Sequence, residues 1–435
     1  MLKFFCYPKE EFMKNIIHPV KGTREFYPPE MALRNWLYAQ IKAVSTSFGY
    51  AEYDGPFLEP IDLYAAKSGE ELVKEQSFTF PDRGGNLITL RPELTPSLAR
   101  MVAQKQHELN YPLRWWSFGP FWRYEKPQKG RTREFFQWNI DMIGTASANA
   151  DAELIAIPAS LFKRIGLTPD KVQIFVNDRQ LMDQKLSAAG IPDDLKKMTL
   201  SIIDRKDKMN HQSWKEHAFE SGLNEGQFDE LARILDDKNL YLDSPSLIQV
   251  FSALDAMGLK SFVSYDAKIV RGLDYYTGPV FEARDIGKSM RAILGGGRYD
   301  NLVQDVGGDA LTGVGFAMGD VVLPLILQDY GLLPELNTSP GQILVTVFDE
   351  GVLTSSLQIS TELRDAGFNV QTYPEPEKLG KQFKYCDKEG IRFAVVAGPD
   401  EMHGNVIQVK DMLTREQTQV KRADMTAYFH KLLED

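Results

Sequence analysis

The spacing of apolar and polar residues changes along the chain, and each change marks an element. In PEMALRNWLYAQIKAVSTSF, from Pro29 to about Phe48, apolar residues recur at helical spacing. GYAEYDGPFLEP follows with the aromatic content of a strand around a proline, so a helix is expected to lead into a strand. Between Leu113 and Gly144 two aromatic-rich segments flank the polar run KPQKGRTR, the pattern of two long antiparallel strands joined by a loop. From about Asp178 to Leu259 the text turns charged and helix-prone with no strand alternation, which predicts a helical insertion over 178–260. Strand and glycine signals return in RGLDYYTGPVFEARD, AILGGGRYDNLV and LTGVGFAMGDVVL, so the core fold resumes there.

Past a linker near LLPELNTSPG, QILVTVF, a helix from Thr354, NVQTY, a helix from Lys378, IRFAVVAG and a final helix alternate as in a small α/β domain. The expected division is an N-terminal extension over 1–18, a core domain over 19–335 and a C-terminal α/β domain over 336–435. With 435 residues, 43% of them hydrophobic, the chain has the length for two or three domains and the apolar content to bury their cores. Lys plus Arg number 50 against 60 Asp plus Glu, a net charge of -10, so nucleic acid must be met by local basic patches rather than by bulk attraction. The two cysteines, Cys6 and Cys386, lack neighbouring ligands at metal spacing, which argues against a disulfide framework or zinc site and fits a reducing, cytoplasmic setting. No apolar run reaches membrane-spanning length, and the opening MLKFFCYPKEEFMKN is unlike a secretory leader.

Chemistry concentrates in three places. The run from Phe121 to Gln137 packs Arg123, Lys126, Lys129, Arg131 and Arg133 into an otherwise acidic protein. By charge alone this is as much a solvated hairpin tip as a polyphosphate or RNA site. In the strand that follows, a period of two puts Gln137, Asn139 and Asp141 on one face and Phe136, Trp138 and Ile140 on the other, which favours a cleft lining. LRPELTPS repeats the alternation with Arg91, Glu93 and Thr95, although on their own Glu93 and Thr95 read as a helix-start cap. In VRGLDYYTGPVFEA, Arg271 precedes Asp274, Tyr275 and Tyr276; spacing alone favours a structural ion pair of Arg271 with Asp274. GGGRY and GVGFAMG offer glycines for close backbone approach, a weak signal in isolation. His211, His217 and His403 sit in polar stretches and read as surface residues.

Taken together these motifs resemble histidyl-tRNA synthetase, from Val20 to the C-terminal helix. Pro29 to Pro60 is similar to class II motif 1, Arg123 to Gly144 to motif 2, and RGLDYY and GGGRYD to the two histidine-specific signatures. LGKQFKYCDKEGIRFAVVAG resembles the family's anticodon-binding domain. The resemblance implies an α+β catalytic core on an antiparallel sheet with flanking helices, a helical insertion and a C-terminal α/β domain. It implies a homodimer using histidine, ATP, Mg2+ and tRNA(His), with no metal site in the protein motifs themselves.

By position, Arg123 and Arg271 are the implied catalytic arginines. Glu93, Thr95 and Gln137 are implied holders of the histidine amino group, and Asp141, Tyr275 and Tyr276 of its side chain. Arg123, Arg131, Arg133, Gly315 and Gly319 are implied ATP-binding residues; Lys126 and Gln128 face the tRNA acceptor end. One departure stands out. GVGFAMG resembles motif 3, but Asp320, Val321 and Val322 follow Gly319 where that class commonly carries an arginine. The rival readings are a non-catalytic, synthetase-like regulatory subunit of histidine biosynthesis and a synthetase-like RNA sensor.

Overall fold

The computed structural model describes residues 16–65, 75–128, 130–270, 276–287, 292–336 and 338–433. The chain divides into two compact units, Met1–Glu25 with Trp36–Leu333, and Phe26–Asn35 with Pro334–Asp435. In chain order the strands of the first unit are β1 (Ala51–Glu52), β2 (Leu58–Pro60), β3 (Phe78–Pro81), β4 (Leu87–Leu90), β5 (Leu113–Trp122), β6 (Glu134–Ile143), β7 (Val172–Asp178), β8 (Val263–Tyr265), β9 (Pro279–Asp285), β10 (Leu294–Tyr299) and β11 (Gly313–Gly319). Eight form one sheet, ordered β1-β5-β6-β11-β10-β9-β7-β8, and β2, β4 and β3 form a smaller one. The six inner strands of the large sheet pair antiparallel, and its two edge strands, β1 and β8, pair parallel.

The predicted hairpin is present as β5 and β6, paired from Leu113↔Ile143 to Trp122↔Glu134. Its even-numbered face is apolar for the reason its spacing suggested. Trp138, Ile140, Phe281, Ala283, Phe316 and Met318 are at most 4% exposed and share one core with Leu154, Leu161, Leu247 and Leu254. Burying a side chain of this size contributes roughly 1.5–3 kcal/mol, so this face anchors the sheet and leaves the other available. Leu154 and Leu161 belong to the helix Ala148–Arg164, started by Ser147, whose side chain accepts from the Asn149 N–H.

The helical insertion is present, from the helix Arg179–Ala188 to the helix Pro245–Ala256, with no strand between β7 and β8. Asp178 anchors both ends of it. Its Oδ1 accepts from Gln180 N at 2.9 Å and its Oδ2 accepts from Ser244 Oγ at 2.8 Å.

One expectation fails. Arg91, Glu93 and Thr95 do not alternate on a strand, because β4 ends at Leu90 and the next helix, Thr95–Lys105, takes Leu94 as its cap residue, with no side-chain cap bond. Pro92 has no N–H for a ladder, and Pro96 sits in the first helical turn, where a fixed φ is favourable. The cap reading of Glu93 and Thr95 falls with it.

In the second unit the strands are β12 (Ile343–Val345), β13 (Val370–Thr372), β14 (Phe393–Val396), β15 (Val406–Asp411) and β16 (Gln417–Lys421), ordered β13-β12-β14-β15-β16. Helices Leu353–Asp365, Leu379–Glu389 and Met425–Leu433 cover the sheet. The alternation of strands and helices is as expected; β13, β12 and β14 pair parallel, and the antiparallel β15 and β16 are additional. Among the described residues, no helix is long and apolar enough to cross a membrane.

Candidate active site

Directly paired residues on neighbouring antiparallel strands share a face, so the register shows what lines the open side of the large sheet. One row runs Trp115, Asp141, Gly315, Gly297, Val280. The next runs Ser117, Asn139, Ala317, Gly295, Glu282, and a third Gly119, Gln137, Gly319. Glycine or alanine occupies the middle of the first two rows and flanks Gln137 in the third. Much of the floor is therefore bare backbone, with Asp141, Asn139 and Gln137 standing beside it.

Two of these glycines are required by what lies over them. A Cβ on Gly315 would overlap Asp141 Oδ1, and a Cβ on Gly297 would lie 2.8 Å from Cδ1 of the Tyr276 ring. Asp141 and Tyr276, 135 positions apart in sequence, thus cover adjacent positions of one row on one face. Gly319 differs, since a Cβ there meets nothing within 4 Å and the space over it is open.

Asp141 is 6% exposed. Its Oδ1 accepts a hydrogen bond from the Tyr299 hydroxyl at 2.7 Å, and the Tyr299 ring reaches it by lying across Gly313. Burial pushes the Asp141 carboxyl up to about 7, and the Tyr299 hydroxyl partly offsets this by favouring the charged form. Above it, Tyr53 packs tilted on Trp115, ring centroids 5.4 Å apart, and burial next to Asp141 holds its phenol well above the usual range.

The loop before Thr95 is held against the same sheet by two arginines. Arg91, wholly buried, donates from Nε to Pro120 O at 2.9 Å and pairs with Asp54; its guanidinium lies over the Phe57 and Phe121 rings, 4.5 and 4.6 Å from their centroids. A Cβ on Gly119 would strike that guanidinium, which places Arg91 on the Gln137 face. Arg123 donates from Nε to Pro92 O at 2.9 Å, leaving its terminal nitrogens for another acceptor, and lies 5.5 Å from the centre of the Phe135 ring. Glu93 is buried and Thr95 half-buried in this loop, and Gln137 is half-buried across from Gly119.

The hairpin tip is otherwise engaged. Arg131 pairs with Glu125 at 3.1 Å, and the Arg133 guanidinium lies over the Tyr124 ring at 3.9 Å while Nε donates to Glu125 O. Gly22 O accepts from Arg133 N at 2.8 Å, so the N-terminal segment runs along the base of the hairpin. Lys126 and Gln128 are exposed. Arg271, Asp274 and Tyr275, with Lys129, lie outside the described residues.

Asp320, in the place of the missing arginine, has a structural task. Its Oδ1 accepts from Phe136 N at 2.9 Å, its own N donates to Phe136 O, and its Oδ2 pairs with Arg24 at 2.8 Å. It joins β6 to the end of β11 and clamps the N-terminal segment to both.

Two residues of this site, Tyr299 and Arg91, and one that supports it from the opposite face of the sheet, Arg298, escaped the sequence reading. Tyr299 and Arg298 were read only as parts of a glycine motif, and Arg91 as part of an alternating strand. Arg298 is 7% exposed and saturated, with Nε and Nη2 on Asp151 (3.0 and 2.8 Å), and Nη1 on Thr145 O and Thr312 Oγ1. It fixes β10 to the start of the helix Ala148–Arg164.

The histidyl-tRNA synthetase family model matches residues 22–320, and an anticodon binding domain model matches residues 342–432. The chain is 39% identical over 429 residues to the chloroplastic/mitochondrial histidine-tRNA ligase of Arabidopsis thaliana, covering 96% of this chain and 88% of that protein. It is 37% identical over 430 residues to the histidine-tRNA ligase of Thermoplasma volcanium, covering 95% and 99%. Among solved structures, a histidyl-tRNA synthetase from Nostoc sp. PCC 7120 superposes with a TM-score of 0.82 at 27% identity, covering 97% of this chain and 100% of that one.

Proposed function

The chain belongs to the histidyl-tRNA synthetase family and is a histidine-tRNA ligase, an ATP-dependent aminoacyl-tRNA synthetase; on that premise we propose that the glycine-floored face of its eight-stranded sheet is where histidine is activated. One observation supports this above the rest. Asp141 lies over Gly315 and Tyr276 over Gly297, the next position of the same row, with one Asp141 oxygen already held by Tyr299. A neutral imidazole carries one donor and one acceptor. The remaining carboxylate oxygen accepts from its N–H, and the Tyr276 hydroxyl donates to its other nitrogen. A side chain lacking either group leaves a buried partner unpaired, which discriminates by orders of magnitude.

Activation requires the histidine carboxylate to attack the α-phosphorus of ATP in line, bringing two anions together. Positioning and cationic stabilisation are what the protein must supply. Arg123, with Nε spent on Pro92 O, presents its two terminal nitrogens to the α-phosphate; Arg271 is assigned the reacting carboxylate and the same phosphate. Glu93, Thr95 and Gln137 hold the amino group. Arg131 and Arg133 take the outer phosphates after leaving Glu125 and Tyr124, and the open space over Gly319 receives the nucleotide. Lys126 and Gln128 meet the acceptor end, where a ribose hydroxyl of the terminal adenosine attacks the adenylate.

Among the described residues no three His, Cys, Asp or Glu side chains stand together as a metal site. Magnesium, on this proposal, would enter with the nucleotide and would neutralise charge on its phosphates. Residues 19–335 form the catalytic domain and 336–435 the anticodon-binding domain, after an extension over 1–18, and two chains pair as a homodimer. A reducing cytoplasm suits the free, buried Cys386. An arginine missing after Gly319 would also suit a non-catalytic regulatory relative, yet Asp320 fills that position with a task of its own. The deciding experiment is ATP-pyrophosphate exchange with each amino acid in turn. Exchange with histidine alone is expected, slowed in Arg271→Ala by about two powers of ten, the loss seen when a charge-stabilising donor is removed. Near-normal exchange in that variant refutes the role of Arg271.

A further inference from the structure

The junction between β7 and the helical insertion, Asn177 to Gln180, has no part in the chemistry assigned above, yet three of its four side chains turn to one stretch of backbone. β7 ends paired with β9 at Asp178↔Pro279, and the next residue, Arg179, opens the helix Arg179–Ala188. The N–H groups of a helix's first turn have no partner within the helix. That of Gln180 is taken by Asp178 Oδ1, and that of Arg179 donates to Gly278 O at 3.0 Å, which extends the β7–β9 ladder by one step. The Arg179 side chain reaches the other way, and its Nη1 donates to Val270 O at 2.8 Å. One residue thus ties Val270, which directly precedes Arg271, to Gly278, two positions after Tyr276.

Neighbouring residues complete the hold. Asn177, wholly buried, donates from Nδ2 to Ala267 O at 2.9 Å and to Ile269 O at 3.1 Å, fixing the backbone that leads into Val270. On the other side Thr277 O accepts from Gln180 Nε2 at 3.1 Å, Thr277 N donates to Arg298 O at 2.9 Å, and Thr277 Oγ1 donates to Asp300 Oδ2 at 2.6 Å. Tyr276, whose ring lies over Gly297, is the residue directly before this anchored threonine. Bringing the ends of a chain segment together costs entropy, and a segment whose ends are already held gives up less when a substrate binds to it. The saving appears as affinity for that substrate.

We propose that Arg179 is a positioning residue for histidine activation: it holds together the two backbone points between which Arg271 and Tyr276 lie, and so sets the Tyr276 hydroxyl for the imidazole. Asp178, beside it, joins both ends of the insertion through Gln180 N and Ser244 Oγ, so the root of the insertion is built into the histidine site. This rests on the reading of the sheet face as the place of activation, and the test separates the two. Full-length protein and variants are assayed by histidine-dependent ATP-pyrophosphate exchange, with urea unfolding alongside. Arg179→Met keeps the apolar stem and the backbone N–H but loses the Val270 bond; the KM for histidine rises about ten-fold, the scale of a lost hydrogen bond from a charged group, while the KM for ATP and the unfolding midpoint hold their parent values. Gln180→Ala, at an exposed position, raises the histidine KM about three-fold and carries the same test without touching the core. In a Tyr276→Phe background, Arg179→Met raises the histidine KM less than about two-fold, because the hydroxyl that it would misplace is gone. An unchanged histidine KM in both single variants, an equal rise in the KM for ATP, or an undiminished effect in the Tyr276→Phe background overturns the positioning role. Absence of histidine-dependent exchange in the unaltered protein, or an unchanged histidine KM in Tyr276→Phe alone, instead overturns the parent reading.

Discussion

Asp141 is held in a place that stabilises its neutral form, and replacing it with Asn separates what it costs the fold from what it does for the substrate. Desolvation raises its carboxyl from 3.8 to about 7. Such a group binds more protons folded than unfolded, so its penalty is small below the unfolded pKa, grows as pH rises, and is complete above pH 7. At 1.36 kcal/mol per unit the full penalty is about 4 kcal/mol, with about 2 already present at pH 5. Asn keeps an oxygen for the Tyr299 hydroxyl and carries no charge, though its amide adds a buried donor that costs about 1–3 kcal/mol if unpaired. That cost is independent of pH. The stability of Asp141→Asn relative to the parent is therefore expected to rise by about 2–3 kcal/mol between pH 5 and pH 8 and then level off. Urea unfolding followed by tryptophan fluorescence measures it cleanly, because all six tryptophans lie between Trp36 and Trp214, in the first unit. The same variant should lose histidine binding far more than ATP binding. Parallel pH profiles for the two proteins would refute the desolvated carboxyl, and equal losses for both substrates would refute its place in the histidine pocket.

Two further outcomes follow from neighbouring bonds. Tyr299→Phe removes the hydroxyl that favours the charged carboxylate, so the acid limb of kcat/KM for histidine should move toward higher pH, with activity several-fold low at neutral pH and recovering in alkali; an unmoved limb would show that the 2.7 Å bond has no bearing on the pocket. Arg298→Ala strands Asp151 as a buried charge without its partner, so a loss of about 3–5 kcal/mol in urea unfolding is expected, and a loss under 1 kcal/mol would mean that water enters and solvates Asp151.

What could be read in advance was what repeats locally. The β5–β6 hairpin was visible because its aromatic alternation runs unbroken on both sides of a polar loop, and the same period assigned Gln137, Asn139 and Asp141 to the cleft. The helical insertion was visible because no two-residue period survives in it. The β15–β16 hairpin was missed although Ile407 and Val409 alternate with Gln408 and Lys410, a short amphipathic signal on an edge that needs little apolar content. Long-range partnerships left no such trace: Arg298 meets Asp151 across 147 positions, and Tyr299 meets Asp141 across 158.

The glycines show why that limit is physical. Read singly, Gly297 and Gly315 are unremarkable, since a strand glycine usually marks only a weak point or a close approach. Their meaning appears when register sets β6, β11 and β10 side by side, because the side chain that needs the space stands on a neighbouring strand or outside the sheet: Asp141 over Gly315, Tyr276 over Gly297. A pocket built this way is encoded in pairs of positions, one bulky and polar, the other empty. Neither member of a pair identifies the other until strand pairing is known, and register is a property of the whole sheet. The residues that define this cleft are therefore the ones a single sequence conceals best, even where each lies inside a motif that is itself easy to see.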